Sequence, residues 1–251
     1  DYKHLSFDFE QIDLLSTIEI ERVIFDFKPN FILHLASYSS VALSWKTPSI
    51  IFINNANIFL NILEAVRKLN LDTRILSVGS SEEYGNIKEE NLPVTEDAPL
   101  NPSSPYAVAR VSQELLSKVY VKGFDLDIVL TRSFNHIGPM QKDVFVIASF
   151  AKQLVMIKKS KYSDRNLITG DVSVIRDFCD VRDVASAYYL LLHNGKKGEI
   201  YNVCSGIGIS LRELISIMAD ILSINVSITI DETLIRPDEN RKIIGCNEKI
   251  R

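Results

Sequence analysis

Tyr106 and Arg110 stand four residues apart in Ser104-Pro105-Tyr106-Ala107-Val108-Ala109-Arg110. On a helix that spacing is one turn, so the two side chains share a face. A cation one turn from a phenol favours the phenolate, which suits a tyrosine to giving and taking a proton. The same pair also arises on ordinary surface helices, so spacing alone leaves both readings open. A second candidate is Gly79-Ser80-Ser81-Glu82-Glu83-Tyr84-Gly85, where hydroxyls and carboxylates follow an apolar run. Open α/β sheets hold ligands at the carboxyl ends of their strands, although serine and glycine also build plain turns. Asn135-His136 follows a further run that ends at Arg132. His136 by itself reads more simply as a loop histidine. Arg176 is a candidate phosphate ligand, because guanidinium matches phosphate oxygens bidentately. Arg236, in Leu234-Ile235-Arg236-Pro237, offers a second arginine on a loop.

These residues need a scaffold that brings strand ends together. Residues 31–36, 73–79 and 126–132 are short, almost continuously apolar runs, as expected of parallel strands covered on both faces. Between them lie helical patterns. Ser16-Thr17-Ile18-Glu19 has capping-box spacing and opens a helix to about Phe27, closed by Lys28-Pro29. Residues 49–69 carry a stripe at Ile58, Ile62, Leu63 and Val66. Ser104-Pro105 supplies a cap and an N1 proline for a helix to about Val121, whose apolar residues Val108, Val111, Leu115 and Val119 are expected to pack on the sheet. Further helices are predicted near 145–158, 181–193 and 210–222, with Asp180 and Ser210 as caps. Residues 200–203 and 226–230 read as short strands. This alternation predicts a doubly wound α/β fold with a smaller second lobe. The loop over 88–104 is long enough to be functional.

Composition narrows the classes. The 251 residues carry a formal charge of −4 with 46% hydrophobic side chains, which suits a folded chain and excludes a disordered one. The acidic balance gives no electrostatic footing for nucleic acid or an anionic membrane, and no run of about 18 apolar residues is read as a bilayer span. Cys179, Cys204 and Cys246 lack CxxC spacing, so neither a disulfide framework nor a metal site is expected. The polar opening Asp1-Tyr2-Lys3-His4 shows no export signal, and the expected location is the cytoplasm. Only 10 glycines occur, and the first is Gly79.

The segments His34-Leu35-Ala36, Ser39-Ser40-Val41 with Ser44-Trp45, Gly79 to Gly85, Phe134-Asn135-His136-Ile137-Gly138-Pro139 and Tyr201-Asn202-Val203-Cys204-Ser205-Gly206 occur in that order. Together they resemble the nucleotide-sugar branch of the extended short-chain dehydrogenase/reductase family, from about Asp13 to Arg251. Within the branch, GDP-mannose 4,6-dehydratases share the Ser-Glu and Arg-Asp-Phe-x-Asp-Val-Arg-Asp segments but carry Glu-Ser-Pro-Arg-Arg-Gly after Asn-His. This chain has Ile137-Gly138-Pro139-Met140-Gln141 there, which is closer to the reductases.

The resemblance implies a Rossmann-like sheet and NADP(H) or NAD(H) as cofactor. It implies hydride transfer to the C4 ketone of GDP-4-keto-6-deoxy-D-mannose, giving GDP-6-deoxy-D-mannose (GDP-D-rhamnose). Tyr106 would donate the proton, with Ser80 on the same oxygen and Arg110 beside it. Asp13 and Leu14 would meet the adenine, Leu35, Ala36 and Tyr38 would line the cofactor's path, and Asn55 would hold nearby backbone. Ser80, Ser81, Asn135, Arg176 and Arg236 would face the GDP-sugar. Glu82 stands where the dehydratases carry their acid/base, so a dehydratase or epimerase stays as an alternative, and a non-catalytic nucleotide-sugar binder as another. A homodimer through a four-helix bundle of residues near 49–69 and 104–121 is also implied.

The departures are specific. The family motif is Tyr-x-x-x-Lys, and here the last position is Arg110. Asn55-Ala56-Asn57-Ile58-Phe59 stands where Asn-x-x-Gly-Thr is usual, and Met140 replaces a glycine. The family opens with a strand, a Thr-Gly-x-x-Gly-x-x-Gly loop and a helix, and Asp13 aligns after them. The N-terminal βαβ portion and the C-terminal end are therefore expected to lie outside this sequence. Residues 1–135 are expected to form part of a dinucleotide-binding domain, and 136–251 mainly a substrate-binding lobe with returning Rossmann elements.

Overall fold

The computed structural model describes residues 6–159 and 165–251, so the polar opening at Asp1 to His4 lies outside the described residues. Helix α1 (Thr17–Phe27) starts where Ser16 Oγ accepts the Glu19 N–H. Glu19 does not close the box on Ser16; its carboxylate accepts instead from the Asp13 N–H at 2.9 Å, which fastens the incoming segment. Lys28, in the left-handed region at φ 47°, ends the helix. Strand β1 (Phe31–His34) follows, then a short helix α2 (Val41–Lys46) that the sequence did not announce, and α3 (Pro48–Lys68). Next come β2 (Arg74–Ser80), α4 (Pro105–Phe124) and β3 (Asp127–Ser133). The second part contains β4 (Asn135–Ile137), α5 (Val146–Lys159), β5 (Asn166–Thr169), β6 (Ile175–Asp180) and α6 (Val181–Asn194). It closes with β7 (Ile200–Val203), β8 (Gly208–Ser210), α7 (Leu211–Leu222) and β9 (Ser227–Ile230).

Four strands form an all-parallel sheet in the order β1-β2-β3-β7. In the β2–β3 register Ser80 lies opposite Ser133, so both strands deliver their last residue to one level. Both faces are covered, as the near-continuous apolar runs require. On one side Phe59, Leu63 and Val66 of α3 pack with Ile20, Ile75 and Ile128; on the other, Val184, Tyr188 and Leu191 of α6 pack on Leu76 and Val129. Outside this sheet, β4 pairs parallel with β6, β6 pairs antiparallel with β8, and β5 pairs parallel with β9. Phe150, Leu154, Leu167 and Ile215 form a separate apolar cluster there. Strands β4, β5, β6 and β8 were not visible as such in the sequence, because three to six residues with distant partners leave little periodicity.

Two expectations need correction. Among the described residues α3 is long and apolar enough, by length and composition, to cross a bilayer, although no such run was read from the sequence. It is a core helix here, with Ile51, Ile58, Phe59, Ile62, Leu63, Ala65 and Val66 buried. Helix α4 turns the opposite way from the one expected. Val108, Leu115 and Val119 are 42%, 51% and 58% exposed, while Tyr106, Ala107, Ala109, Arg110, Gln113 and Ser117 are buried. Alanine and serine let α4 approach the sheet closely, and the polar side chains find partners on β2 that leave no cost of unpaired burial.

Candidate active site

A cavity of about 580 Å³ opens at the carboxyl ends of β2 and β3. Its lining brings together Leu35, Ser80, Ser81, Glu82, Tyr106, Arg110, Asn135 and Arg236, which the sequence spreads over about 200 positions. Their convergence follows from the parallel sheet: each strand ends at the same edge and hands its polar residues to the same crevice.

Tyr106 sits in the first turn of α4, set by Ser104 Oγ accepting the Ala107 N–H at 3.1 Å. One turn on, Arg110 is 5% exposed and donates from Nε to the Tyr106 hydroxyl at 3.1 Å. Its Nη1 donates to the Val78 carbonyl at 3.0 Å and to Gln113 Oε1 at 2.7 Å. The guanidinium therefore lies against the phenol with its direction fixed by the backbone of β2. Nearby, His34 is buried against the Phe59 ring at 5.0 Å, so the bulky residue at the usual threonine position of α3 walls it in. Burial, with Arg110 adding to it, lowers the imidazole to about 4 and keeps it neutral.

Ser80 ends β2 and caps the short 3-10 turn Ser81–Tyr84: its Oγ accepts the Glu82 N–H at 3.3 Å. Glu83 answers by accepting the Ser80 N–H at 2.6 Å. The two adjacent acids thus part company. Glu82 faces the cavity, while Glu83 is wholly buried, and burial with the Glu114 carboxylate nearby pushes it up to about 8. Glu114 is held by Arg132, which donates from Nε and Nη2 at 2.8 and 2.9 Å and also lies over the Tyr84 ring. Gly79 is required here, since a Cβ would stand 2.4 Å from Glu83 Oε1 and 2.5 Å from the Thr131 carbonyl.

Across the cavity Arg236 Nη1 stands 3.8 Å from Glu82 and 3.5 Å from Glu239. Arg176 is buried on β6, bonds Glu239 at 2.5 Å and does not reach the cavity lining. Arg176, expected as a phosphate ligand, thus stands behind the cavity and meets Arg236 only through the Glu239 carboxylate that both arginines bond. Burial raises the Glu239 carboxyl although both arginines oppose the shift. Asp177, next to Arg176, accepts from Ser205 and Gly206 and so ties β6 to the loop after β7. Asp180 caps α6 by accepting the Arg182 N–H at 2.8 Å.

The remaining candidates lie away from the lining. Asn55 on α3 holds both backbone groups of Tyr38, accepting its N–H at 2.9 Å and donating to its carbonyl at 3.1 Å. Ala36 precedes that clamp on the loop after β1. Asp13 accepts the Leu15 N–H, and Leu14 packs on the apolar cluster under α3. Met140, at the glycine position, takes φ 67° and is fully exposed. The described residues contain no group of three metal-ligating side chains.

With this geometry in view, a family model described as GDP-mannose 4,6 dehydratase matches residues 1–251. The chain belongs to that family. It is 37% identical over 222 residues to GDP-6-deoxy-D-mannose reductase of Pseudomonas aeruginosa, covering 88% of this chain and 73% of the relative. It is 26% identical over 216 residues to GDP-mannose 4,6-dehydratase of Vibrio cholerae, covering 85% of this chain and 57% of the dehydratase, so it spans little more than half of that relative. The solved structure of RMD from Pseudomonas aeruginosa complexed with NADPH superposes with a TM-score of 0.89 at 35% identity, covering 96% of this chain and 80% of that one. The doubly wound α/β architecture is thus a Rossmann-like member of the short-chain dehydrogenase/reductase group, whose relatives carry nucleotide-sugar activities as reductases and dehydratases.

Proposed function

We propose that the chain carries the NAD(P)H-dependent reduction of the C4 ketone of GDP-4-keto-6-deoxy-D-mannose. The observation behind this reading is the convergence of the Arg110-bonded Tyr106 hydroxyl and Ser80 on one cavity. Those side chains fit a nicotinamide cofactor and a carbonyl oxygen together. The residues that would hold the cofactor are Asp13, Leu14, Leu35, Ala36, Tyr38, Asn55, Tyr106 and Arg110. A reduced nicotinamide, when bound, supplies hydride to a ketone carbon. Tyr106 gives its hydroxyl proton to the ketone oxygen as negative charge develops there, and Ser80 donates a hydrogen bond to the same oxygen. Arg110, with Nε on the phenol oxygen, stabilises the phenolate left behind. Ser81 and Asn135 face the sugar, and Arg236 forms the cationic side toward the diphosphate, with Arg176 behind it on the shared Glu239 carboxylate. In this reading residues 1–135 belong to the dinucleotide-binding unit and 136–251 mainly to the sugar-binding lobe.

A dehydratase is the second reading, supported by Glu82 in the same cavity. The deciding experiment supplies GDP-4-keto-6-deoxy-D-mannose and NADPH to the full-length protein and follows absorbance of the reduced cofactor. Cofactor oxidation with a 6-deoxy product is expected. Loss of water from GDP-mannose would instead promote the dehydratase, and tight sugar-nucleotide binding without turnover would leave a non-catalytic binder. We also propose that a second copy covers the exposed apolar residues of α3 and α4, such as Ile50, Ile53, Leu115 and Val119. Sedimentation should then show a dimer that Leu115→Glu dissociates.

A further inference from the structure

An arginine does not replace a lysine freely at a buried position. Its planar head carries five N–H donors in fixed directions, and each must find a partner or face the cavity. Arg110 meets this demand through a neighbour that neither the motif nor the proposed reaction uses. Gln113 lies one turn further along α4, on the same face, and is 1% exposed. Its Oε1 accepts from Arg110 Nη1 at 2.7 Å, and its Nε2 donates to the Val78 carbonyl and to Ser77 Oγ, both at 3.0 Å. The Val78 carbonyl also accepts from Arg110 Nη1 at 3.0 Å, so guanidinium, carbonyl and amide close a ring. Ser77 is steadied in turn by Ser117, whose Oγ lies 3.1 Å from it.

The ring has a directional consequence. With both Nη1 donors spent on Val78 and Gln113, the guanidinium plane is held and its Nε–H points at the Tyr106 oxygen at 3.1 Å. An apolar side chain at 113 would remove one acceptor of Nη1 and free the plane to rotate. His34, buried on the neighbouring strand, is neutral and presents no rival positive charge to the guanidinium.

We propose that Gln113 is the positioning residue of the Arg110–Tyr106 pair, locking the guanidinium plane so that an arginine serves where the family motif places a lysine. The inference rests on the reading of Tyr106 as proton donor, and its test separates the two. Gln113→Leu is made in the full-length protein with Arg110 intact and again together with Arg110→Lys, since an ammonium has no plane to lock. With Arg110 intact, kcat is expected to fall about tenfold at unchanged KM, the scale of one lost charge-assisted hydrogen bond. In the Arg110→Lys background the loss should be under about twofold.

A second readout needs no turnover. In ¹⁵N NMR of the protein without ligands, the Arg110 Nε–H signal, assigned by its disappearance in Arg110→Lys, should exchange with water about tenfold faster in Gln113→Leu. Equal kcat losses in the two backgrounds, or an unchanged exchange rate, would overturn the positioning role. A lower melting temperature alone, with neither readout moved, would also overturn it and leave Gln113 a packing residue. If no background turns over yet exchange accelerates, the lock stands and the proposed reaction falls. Should the leucine variant not fold, Gln113→Met takes its place, and an Nε–H that exchanges freely in the unmodified protein refutes the lock outright.

Discussion

The two walls of the cavity satisfy their polar groups by opposite means. On the α4 side Arg110, backed by Gln113 behind the lining, bonds to a backbone carbonyl, an amide and a phenol, and both side chains are buried. On the far side the lining residues Arg236 and Glu82, 32% and 21% exposed, pair with each other, and Arg236 shares Glu239 with Arg176 behind the lining. Fixed, neutral partners make a preorganised wall, which suits stabilisation of charge that appears only during a reaction. Mutually paired ions make a wall whose cations are already compensated. An anionic ligand there must displace carboxylates, and partly exposed pairs yield at small cost.

The largest effect expected from this contrast is at Tyr106. Tyr106→Phe should lower kcat by about a thousandfold while calorimetry shows sugar-nucleotide affinity retained. A loss of affinity instead would mean that the α4 wall binds rather than reacts. Next comes the buried ion pair behind that wall: Arg132→Met leaves the Glu114 carboxylate 4% exposed without its bidentate partner. A cost of about 3–5 kcal/mol in urea unfolding is expected.

Two of the buried titrating groups sharpen the contrast through pH. His34 is lowered from 6.5 to about 4, so its contribution is complete above pH 6.5 and is lost as pH falls toward 4. That loss is about 3 kcal/mol at most, and His34→Asn should flatten the acid limb of stability against pH. Glu83 runs the other way: raised to about 8, it favours folding fully below pH 4.5 and progressively less as pH rises to 8. Glu83→Gln should therefore flatten the alkaline limb of urea midpoints. The smallest effect belongs to Glu239. Glu239→Gln, which keeps an acceptor for the buried Arg176 while releasing the partly exposed Arg236 from its charge, should tighten GDP binding by a few fold, with no change in the pH profiles of the α4 wall. Weaker GDP binding in titration calorimetry would show that Glu239 holds the ligand rather than competing for it.

Much of the frame was legible in the residues. Ser16, Ser104, Asp180 and Ser210 cap the helices expected of them, and the apolar runs at 73–79 and 126–132 became neighbouring central strands. The pairing Tyr106–Arg110 was legible because one turn of helix is a local distance. Gln113 offered the same signal, an i+3 amide beside a buried cation, and went unread because nothing local says that the face is buried. Glu239 gave none: 63 residues separate it from Arg176, and only the fold brings them to 2.5 Å.

What the sequence determined by itself was periodicity, caps and the alternation of the longer helices with the central strands, since these follow from contacts within a few residues. Which side of α4 meets the sheet was decided by tertiary structure alone. Helical spacing shows that Val108, Leu115 and Val119 lie together, and equally that Ala109, Gln113 and Ser117 do. The choice between the faces was made by β2, whose Ser77 hydroxyl and Val78 carbonyl give Gln113 and Arg110 partners and make burial of the polar face tolerable. The opposite fates of Glu82 and Glu83 have the same origin, because a neighbour in the chain can point at a ligand cavity while the next residue closes a buried cap.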